Sequence, residues 1–219
     1  MVISEKELKI LINTEGGKAL IRQLAEIEKI DEYSFGLSQN QQIEDLYLDS
    51  PDFTLKINNS YLRLRGREGL HTITFRKEII EGDEVEVNEI HHPLDDQGVL
   101  LMIQEVLRSK WIKGTPNLFK PTFIEVLQSI GLFEQLRVNI NRIIRDLFIE
   151  DIKIGKIKID EFYYQSRKNE LYYMIELNTY KKAYHMPINN FFRTLGDKYG
   201  YRLELTSINK YNRGMETLR

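Results

Sequence analysis

Apolar and charged residues alternate with period two in stretch after stretch of this chain, and that pattern limits what it can fold into. In a strand, residues two apart share a face, so such runs read as strands with one apolar and one polar side. The runs are Lys6–Ile12, Gln42–Leu48, Tyr61–Arg65, Thr72–Lys77, Glu84–Ile90, Arg142–Ile149, Lys156–Phe162 and Tyr172–Asn178, with a weaker one at Arg202–Leu205. The polar faces are charged and sorted. Glu5, Glu7 and Lys9 share one face. Tyr61, Arg63 and Arg65 stand opposite Leu62 and Leu64, and Thr72, Thr74 and Arg76 opposite Ile73 and Phe75. Glu84, Glu86 and Asn88 stand opposite Val85 and Val87. Lys156, Lys158 and Asp160 face away from Ile157 and Ile159, and Glu176 and Asn178 away from Ile175 and Leu177.

A second texture has helical spacing. Gly17–Ile30 carries Leu20, Ile21, Leu24 and Ile27 as one stripe, and similar patterns return at Gln97–Trp111, Lys120–Ile130 and Ile188–Tyr199. Pro121 fits the first turn of the third of these, where a missing N–H is harmless. Asp49–Asp52 around Pro51, Asn58–Asn59 and Glu81–Asp83 read as turns. With no repeat or linker, the expectation is one α+β domain over residues 1–219, with a helical insertion around residues 95–130.

Composition narrows the function classes. Thirty-one basic residues against 33 acidic ones give a net charge of −2, which argues against a nucleic-acid or membrane-surface binder. Cysteine is absent, which excludes thiolate metal sites and a cysteine nucleophile. No apolar stretch has the length of a membrane span and no leader pattern opens the chain, so a cytoplasmic protein is expected. Neither a G-x-x-x-x-G-K-[ST] nor a G-x-G-x-x-G motif occurs, which closes the P-loop and Rossmann routes to nucleotide binding.

The charged faces admit two readings. One is an antiparallel sheet with a solvated face. The other closes the strands into a barrel with the charges inside, where acids, bases and ligands must compensate one another. Such an interior suits a divalent cation bound to a polyanion, because hard cations take carboxylates while phosphoryl oxygens take Arg and Lys. Ser4–Glu7 also fits a helix capping box, with Glu5 and Lys9 as an i,i+4 pair.

Glu5-Lys6-Glu7-Leu8-Lys9 has the form E-x-E-x-K and resembles the opening motif of the CYTH superfamily, the triphosphate tunnel metalloenzymes. Later features keep the family's order. Tyr47-Leu48-Asp49-Ser50-Pro51 resembles its Y-[YF]-D-T-P turn, Tyr61–Arg65 its L-R-x-R strand and Thr74-Phe75-Arg76 its T-L-K strand, with Arg replacing Lys. Ser129–Leu132 resembles its L-G-F segment, and Ser207–Gly214 its S-K-Y ending, with two residues inserted between Ser207 and Lys210. Arg137, Asn139, Asn141, Arg142 and Arg145 compete for the family's K-x-R, Arg142 being preferred, and Asn178 stands where a second acid is common.

The resemblance implies an antiparallel eight-stranded β-barrel with flanking helices whose tunnel binds a triphosphate with Mg²⁺ or Mn²⁺. It implies Glu5, Glu7 and Glu176 as metal ligands, with Asp160 and Glu86 as second choices. Lys9, Arg63, Arg65, Arg76, Arg142 and Lys210 would grip the phosphates, and Glu5, Glu7 and Lys9 form the catalytic set. Lys156 and Lys158 share the face of Asp160 and are further candidates. The implied activity is metal-dependent hydrolysis of inorganic, nucleoside or organic triphosphates. A class IV-like adenylyl cyclase, a thiamine triphosphatase and a non-catalytic polyphosphate-binding barrel are the alternatives. The implied partner is a triphosphate-containing small molecule, with a homodimer left open. His91 and His92, adjacent and so on opposite strand faces, do not bind a metal jointly on this reading; Tyr163, Tyr164, Tyr172 and Tyr173 read as wall aromatics.

Overall fold

The computed structural model describes residues 6–12, 17–81, 84–179, 181–200, 203–206 and 208–217. Among them are eleven strands and six α-helices. They are β1 (Lys6–Ile12), α1 (Gly17–Glu26), β2 (Lys29–Ile30), β3 (Tyr33–Phe35), β4 (Gln39–Asp49), α2 (Thr54–Ile57), β5 (Ser60–Arg67) and β6 (Leu70–Glu81). There follow β7 (Glu84–Pro93), α3 (Asp96–Arg108), α4 (Phe123–Ser129), β8 (Phe133–Ile149), β9 (Ile152–Tyr164), β10 (Tyr172–Thr179), α5 (His185–Tyr199), β11 (Leu203–Thr206) and α6 (Lys210–Thr217). The chain divides into two compact units, Ile3–Gln42 with Asn139–Arg213 and Ile43–Val138 with Gly214–Arg219.

In the first unit the strand order is β11-β1-β10-β9-β8, with β1 antiparallel to both β11 and β10, and β10 antiparallel to β9. Alternation sends Ile10, Ile12, Ile157, Ile159, Ile175 and Leu177 to one face, all buried. Leu20, Ile21 and Leu24 of α1 and Ile188, Phe191, Leu195 and Tyr199 of α5 complete that core. Gly155 belongs here for steric reasons, since a Cβ on it would stand 2.4 Å from the Asn178 carbonyl oxygen. The capping-box reading of Ser4–Glu7 fails where it can be checked: Lys6–Ile12 pairs residue by residue with Ile12↔Tyr173 through Lys6↔Thr179. Cross-strand pairing outweighs a single i,i+4 ion pair.

In the second unit the order is β4-β5-β6-β7. Leu46, Leu48, Leu62, Leu64, Ile73 and Phe75 pack against Val99, Met102, Ile103 and Val106 of α3 and Val126 and Leu127 of α4. Both helices begin at side-chain caps. Asp95 accepts from the Gly98 N–H at 2.7 Å, and Thr122 accepts from the Glu125 N–H at 3.3 Å while its hydroxyl donates to the Glu125 carboxylate. Pro121 therefore precedes the cap of α4 and does not occupy its first turn.

The α+β class and the antiparallel sheet with flanking helices are as expected. In each unit, however, the described strands form an open path, not a closed ring of eight. The short ribbon β2–β3, paired to the end of β8, and the run Phe133–Asn141 at the start of β8 were not separable from loop by alternation alone. The short helix α2 was not expected; it lies between the turns expected at Asp49–Asp52 and Asn58–Asn59. The buried Asp49 carboxylate builds it, accepting from the N–H groups of Ser50, Leu55 and Lys56 at 2.8, 2.8 and 2.9 Å.

Arg145 holds the first unit from inside. Its guanidinium donates to the carbonyls of Leu24 and Ile27, at the end of α1, and to Gly36, and it lies over the Phe35 ring. Last-turn helix carbonyls have no partners within their own helix. Replacing Arg145 with Met is expected to lower the stability of the fold by about 3 kcal/mol, the cost of several unpaired buried acceptors. Urea denaturation measures this, and an unchanged midpoint would show that the clamp is dispensable.

Candidate functional site

The face of the first sheet turned away from its core carries the charges. Register sets Lys9 across from Glu176, Glu7 across from Asn178 and Lys158 across from Glu176, so these residues share a face. Arg142 on β8 meets Asp160 in a two-pronged pair, Nε to Oδ1 at 2.7 Å and Nη2 to Oδ2 at 2.6 Å, and reaches Glu176 at 3.3 Å. Lys210, at the first turn of α6, places its Nζ 2.7 Å from Asp160 and 2.6 Å from Glu176. Lys158 stands 3.8 Å from Glu176, and Lys9 pairs with Glu7 at 2.8 Å. Arg142, Asp160, Glu176 and Lys210 are all buried.

Burial alone would push both carboxyls up. The cations beside them overcome it, Arg142 and Lys210 at Asp160 and Lys210, Arg142 and Lys158 at Glu176, and hold both below their ordinary range. Burial likewise works against the Lys210 ammonium, and Asp160 and Glu176 reverse it, raising the amine above its usual value. Fork-to-carboxylate geometry satisfies Arg142 at two donors, which a lysine at that position could not do.

Near the edge of this face the Asn178 Nδ2 lies 3.4 Å from Glu7 Oε1, while the buried Asn178 Oδ1 has no hydrogen-bond partner among the described residues. A carboxylate beside an unsatisfied carbonyl oxygen is a donor set that Mg²⁺ or Mn²⁺ accepts. Glu5 lies outside the described residues. Among the described residues no group of three or more acidic or histidine side chains is arranged to hold a metal ion.

The second unit has its own charged face. Arg65 makes a two-pronged pair with Asp45, both bonds at 2.6 Å, and Asp45 is fully buried. Arg63 lies 3.9 Å from Asp45 and 3.5 Å from Glu89, and its buried Nε has no hydrogen-bond partner among the described residues. Arg76 pairs with Glu78 at 2.9 Å, and both Arg63 and Arg76 lie over the Tyr61 ring. Glu89 sits at about 2: burial raises it, and His91, Arg63 and Arg76 more than offset that.

Each unit thus brings together part of the expected set: Glu7, Lys9, Arg142, Asp160, Glu176 and Lys210 in one, Arg63, Arg65 and Arg76 in the other. Three of the competitors of Arg142 stand elsewhere: Arg137 pairs with Glu44 and Glu134 at the surface, Asn139 bonds Gln165, and Arg145 clamps α1. Glu86 pairs in register with Ile79, so the row of Arg76 holds Glu89 instead. Asp45 and Glu89 were missed by the sequence reading. Asp45 was legible as the in-phase neighbour of Tyr47. Glu89 follows from the pairing of Glu81 with Glu84, which sets Arg76 opposite Glu89.

The chain matches the model of the CYTH domain family over residues 4–177. It belongs to that family. Solved structures show the same fold. One is a Hippeastrum protein named as a candidate adenylyl cyclase with a dominant triphosphatase activity, 14% identical, with a TM-score of 0.59 and 97% of this chain and 96% of that one covered. A second, from Bacillus halodurans and named as a candidate adenylate cyclase, is 20% identical, with a TM-score of 0.58 and 95% and 96% covered. The Pyrococcus horikoshii protein PH1819 is 16% identical, with a TM-score of 0.56 and 98% and 99% covered. No curated protein matches the sequence.

The buried quartet in this CYTH chain makes stability depend on pH in a defined direction. Asp160 and Glu176 are depressed in the fold, so their contribution is complete above the unfolded-state values near ~4 and is lost as pH falls through the folded ones. Lys210 is raised, so its share is complete below ~10.4 and is lost only as pH rises past its folded value. Asp160→Asn leaves Arg142 and Lys210 with one carboxylate fewer. At pH 7 it is expected to cost about 3–5 kcal/mol. The gap from the parent protein should narrow toward pH 3 in denaturant titrations; a gap independent of pH would contradict the assignment.

Proposed function

We propose that this CYTH-family protein is a metal-dependent triphosphatase, acting on inorganic triphosphate or on a nucleoside or organic triphosphate. The observation that carries the reading is the charge held on one face of the first sheet. Lys9, Arg142, Lys158 and Lys210 stand there against Glu7, Asp160 and Glu176, and four of these seven are buried. Buried ion pairs are commonly less stabilising than well-packed apolar residues of the same size. A fold that keeps so many of them on one face is using them, and cations gathered beside ionised carboxylates supply the positioning and charge neutralisation on which phosphoryl transfer relies.

On this reading Glu7 and the Asn178 side-chain Oδ1 would hold the cation, joined by Glu5, with Glu176 in the neighbouring row across from Lys9. A hard divalent cation supplies charge neutralisation to phosphoryl oxygens. Lys9, Arg142 and Lys210 would take phosphate oxygens in exchange for their carboxylate partners Glu7, Asp160 and Glu176. Arg63, Arg65 and Arg76 form a second set of donors with the fork geometry that phosphate favours. Hydrolysis then needs only a water oriented in line with the terminal phosphorus, since positioning and electrostatics account for most of the acceleration.

The Hippeastrum and Bacillus halodurans proteins are both named as candidate adenylyl cyclases, and the cyclase is the second reading. It uses the same phosphate grip with the ribose 3′-hydroxyl as nucleophile and pyrophosphate as leaving group.

Incubation with triphosphate, ATP or thiamine triphosphate, each with Mg²⁺ or Mn²⁺, is expected to release orthophosphate. Glu7→Gln should reduce turnover by about a hundredfold or more while the circular dichroism spectrum is retained. Equal activity in that variant would remove Glu7 from the site, and cyclic AMP with pyrophosphate from ATP would favour the cyclase.

A further inference from the structure

Register arranges the charged face of the second unit in rows. Tyr47, Arg63, Thr74 and His91 form one row from β4 to β7. Tyr61, Arg76 and Glu89 form the row on one side of it, and Asp45, Arg65, Thr72 and Pro93 the row on the other. His91 is thus the imidazole on the face that carries Arg63, Arg65 and Arg76. His71 and His92 pair with Gly66 and Ile73, in rows of the opposite face.

The His91 ring is oriented on both nitrogens. Nδ1 lies 2.9 Å from the hydroxyl of Thr74, itself fully buried. Nε2 lies 3.6 Å from Glu89 Oε2, while Glu89 Oε1 is 3.5 Å from Arg63 Nη2. One carboxylate therefore stands between a permanent cation and a titratable one. His91 is also the accessible member of the group, with 54% of its side chain exposed against 11% for Arg63 and 26% for Glu89.

The charged groups on this face include Asp45 from β4, Arg63, Arg65 and Arg67 from β5, Arg76 and Glu78 from β6 and Glu89 from β7. The guanidiniums of Arg63, Arg65 and Arg76 have carboxylate partners. A polyphosphate drawn to Arg63 competes with Glu89 for it and brings negative charge beside an imidazole. Imidazole is the side chain that gains or loses its charge most readily near neutral pH, and once protonated it donates a charge-assisted hydrogen bond from Nε2.

We propose that His91 is a ligand-contacting residue of this face and takes up a proton when a polyphosphate anion binds. Binding then creates a cation that the free protein does not need to carry. Thr74 keeps Nε2 directed outward by engaging Nδ1, and Glu89 is the anion that the ligand displaces. This rests on the reading of the Arg63 face as a phosphate-binding surface.

The test is titration calorimetry of the full chain with inorganic triphosphate, without added metal, in buffers of differing ionisation enthalpy at pH 7.5. The protein should take up a fraction of a proton more per triphosphate bound than His91→Gln does; protonation of the triphosphate itself is common to both and cancels. Between pH 8 and pH 6 its affinity should rise about tenfold more than that of His91→Gln. His91→Lys, with a permanent charge, should bind tightly at both pH values without the extra uptake. Equal uptake and equal pH dependence in protein and His91→Gln, with binding intact, would overturn the role of His91 and leave the phosphate reading standing. Absence of triphosphate binding by the unmodified protein would overturn both.

Discussion

Four buried side chains, Arg142, Asp160, Glu176 and Lys210, neutralise one another inside the first unit, and the arrangement around them depends on that balance. Each alone would be intolerable there, since an isolated charge in a low-dielectric interior loses far more hydration than packing returns. Together they are tolerated because the geometry is close and nearly every lone pair is used. The network also ties distant parts of the sequence together. Lys210 comes from α6, the carboxylates from β9 and β10 and the guanidinium from β8. Tyr164 adds to this by donating its hydroxyl to the Lys210 carbonyl at 3.0 Å, which fixes the turn from which the ammonium projects.

The same division of labour recurs in the second unit with different chemistry. Its apolar face is sealed by α3 and α4, and its polar face carries guanidiniums matched to Asp45, Glu78 and Glu89. Arginine suits that face because its fork is permanently charged and can turn from a carboxylate to a phosphate without a change of protonation. The carboxylates hold the guanidiniums in one place, which on the proposed reading keeps them ready for a phosphate. Preorganised donors of this kind need little rearrangement when charge develops on a phosphoryl group.

Period-two alternation was enough to place nine of the eleven strands, at least in part, and to show which residues share a face, because that period follows from backbone geometry. The E-x-E-x-K, L-R-x-R and S-K-Y-like motifs then assigned the CYTH family correctly. Partnerships were less legible. Alternation puts Arg142 and Arg145, three residues on, on opposite faces, but does not say which of them meets Asp160 and which caps α1. Glu86 and Glu89 are both acids on β7, and only the β6–β7 register decides which shares a row with Arg76. Asp49 looked like a turn residue and is one, but its reach to the N–H groups of Leu55 and Lys56 depends on a fold-back that spacing does not reveal.

The central claim is that the buried quartet is kept for polyanion chemistry and not for stability. Replacing Arg142, Asp160, Glu176 and Lys210 together with Met, Leu, Leu and Met tests this, because it removes every member and leaves only the part-exposed Lys158 without its carboxylate neighbour. Denaturant unfolding and triphosphate binding would be measured on the same variant. The account predicts a fold as stable as the original, or more stable by about 1–4 kcal/mol, that no longer binds triphosphate. A variant that loses stability yet still binds triphosphate with undiminished affinity would contradict it.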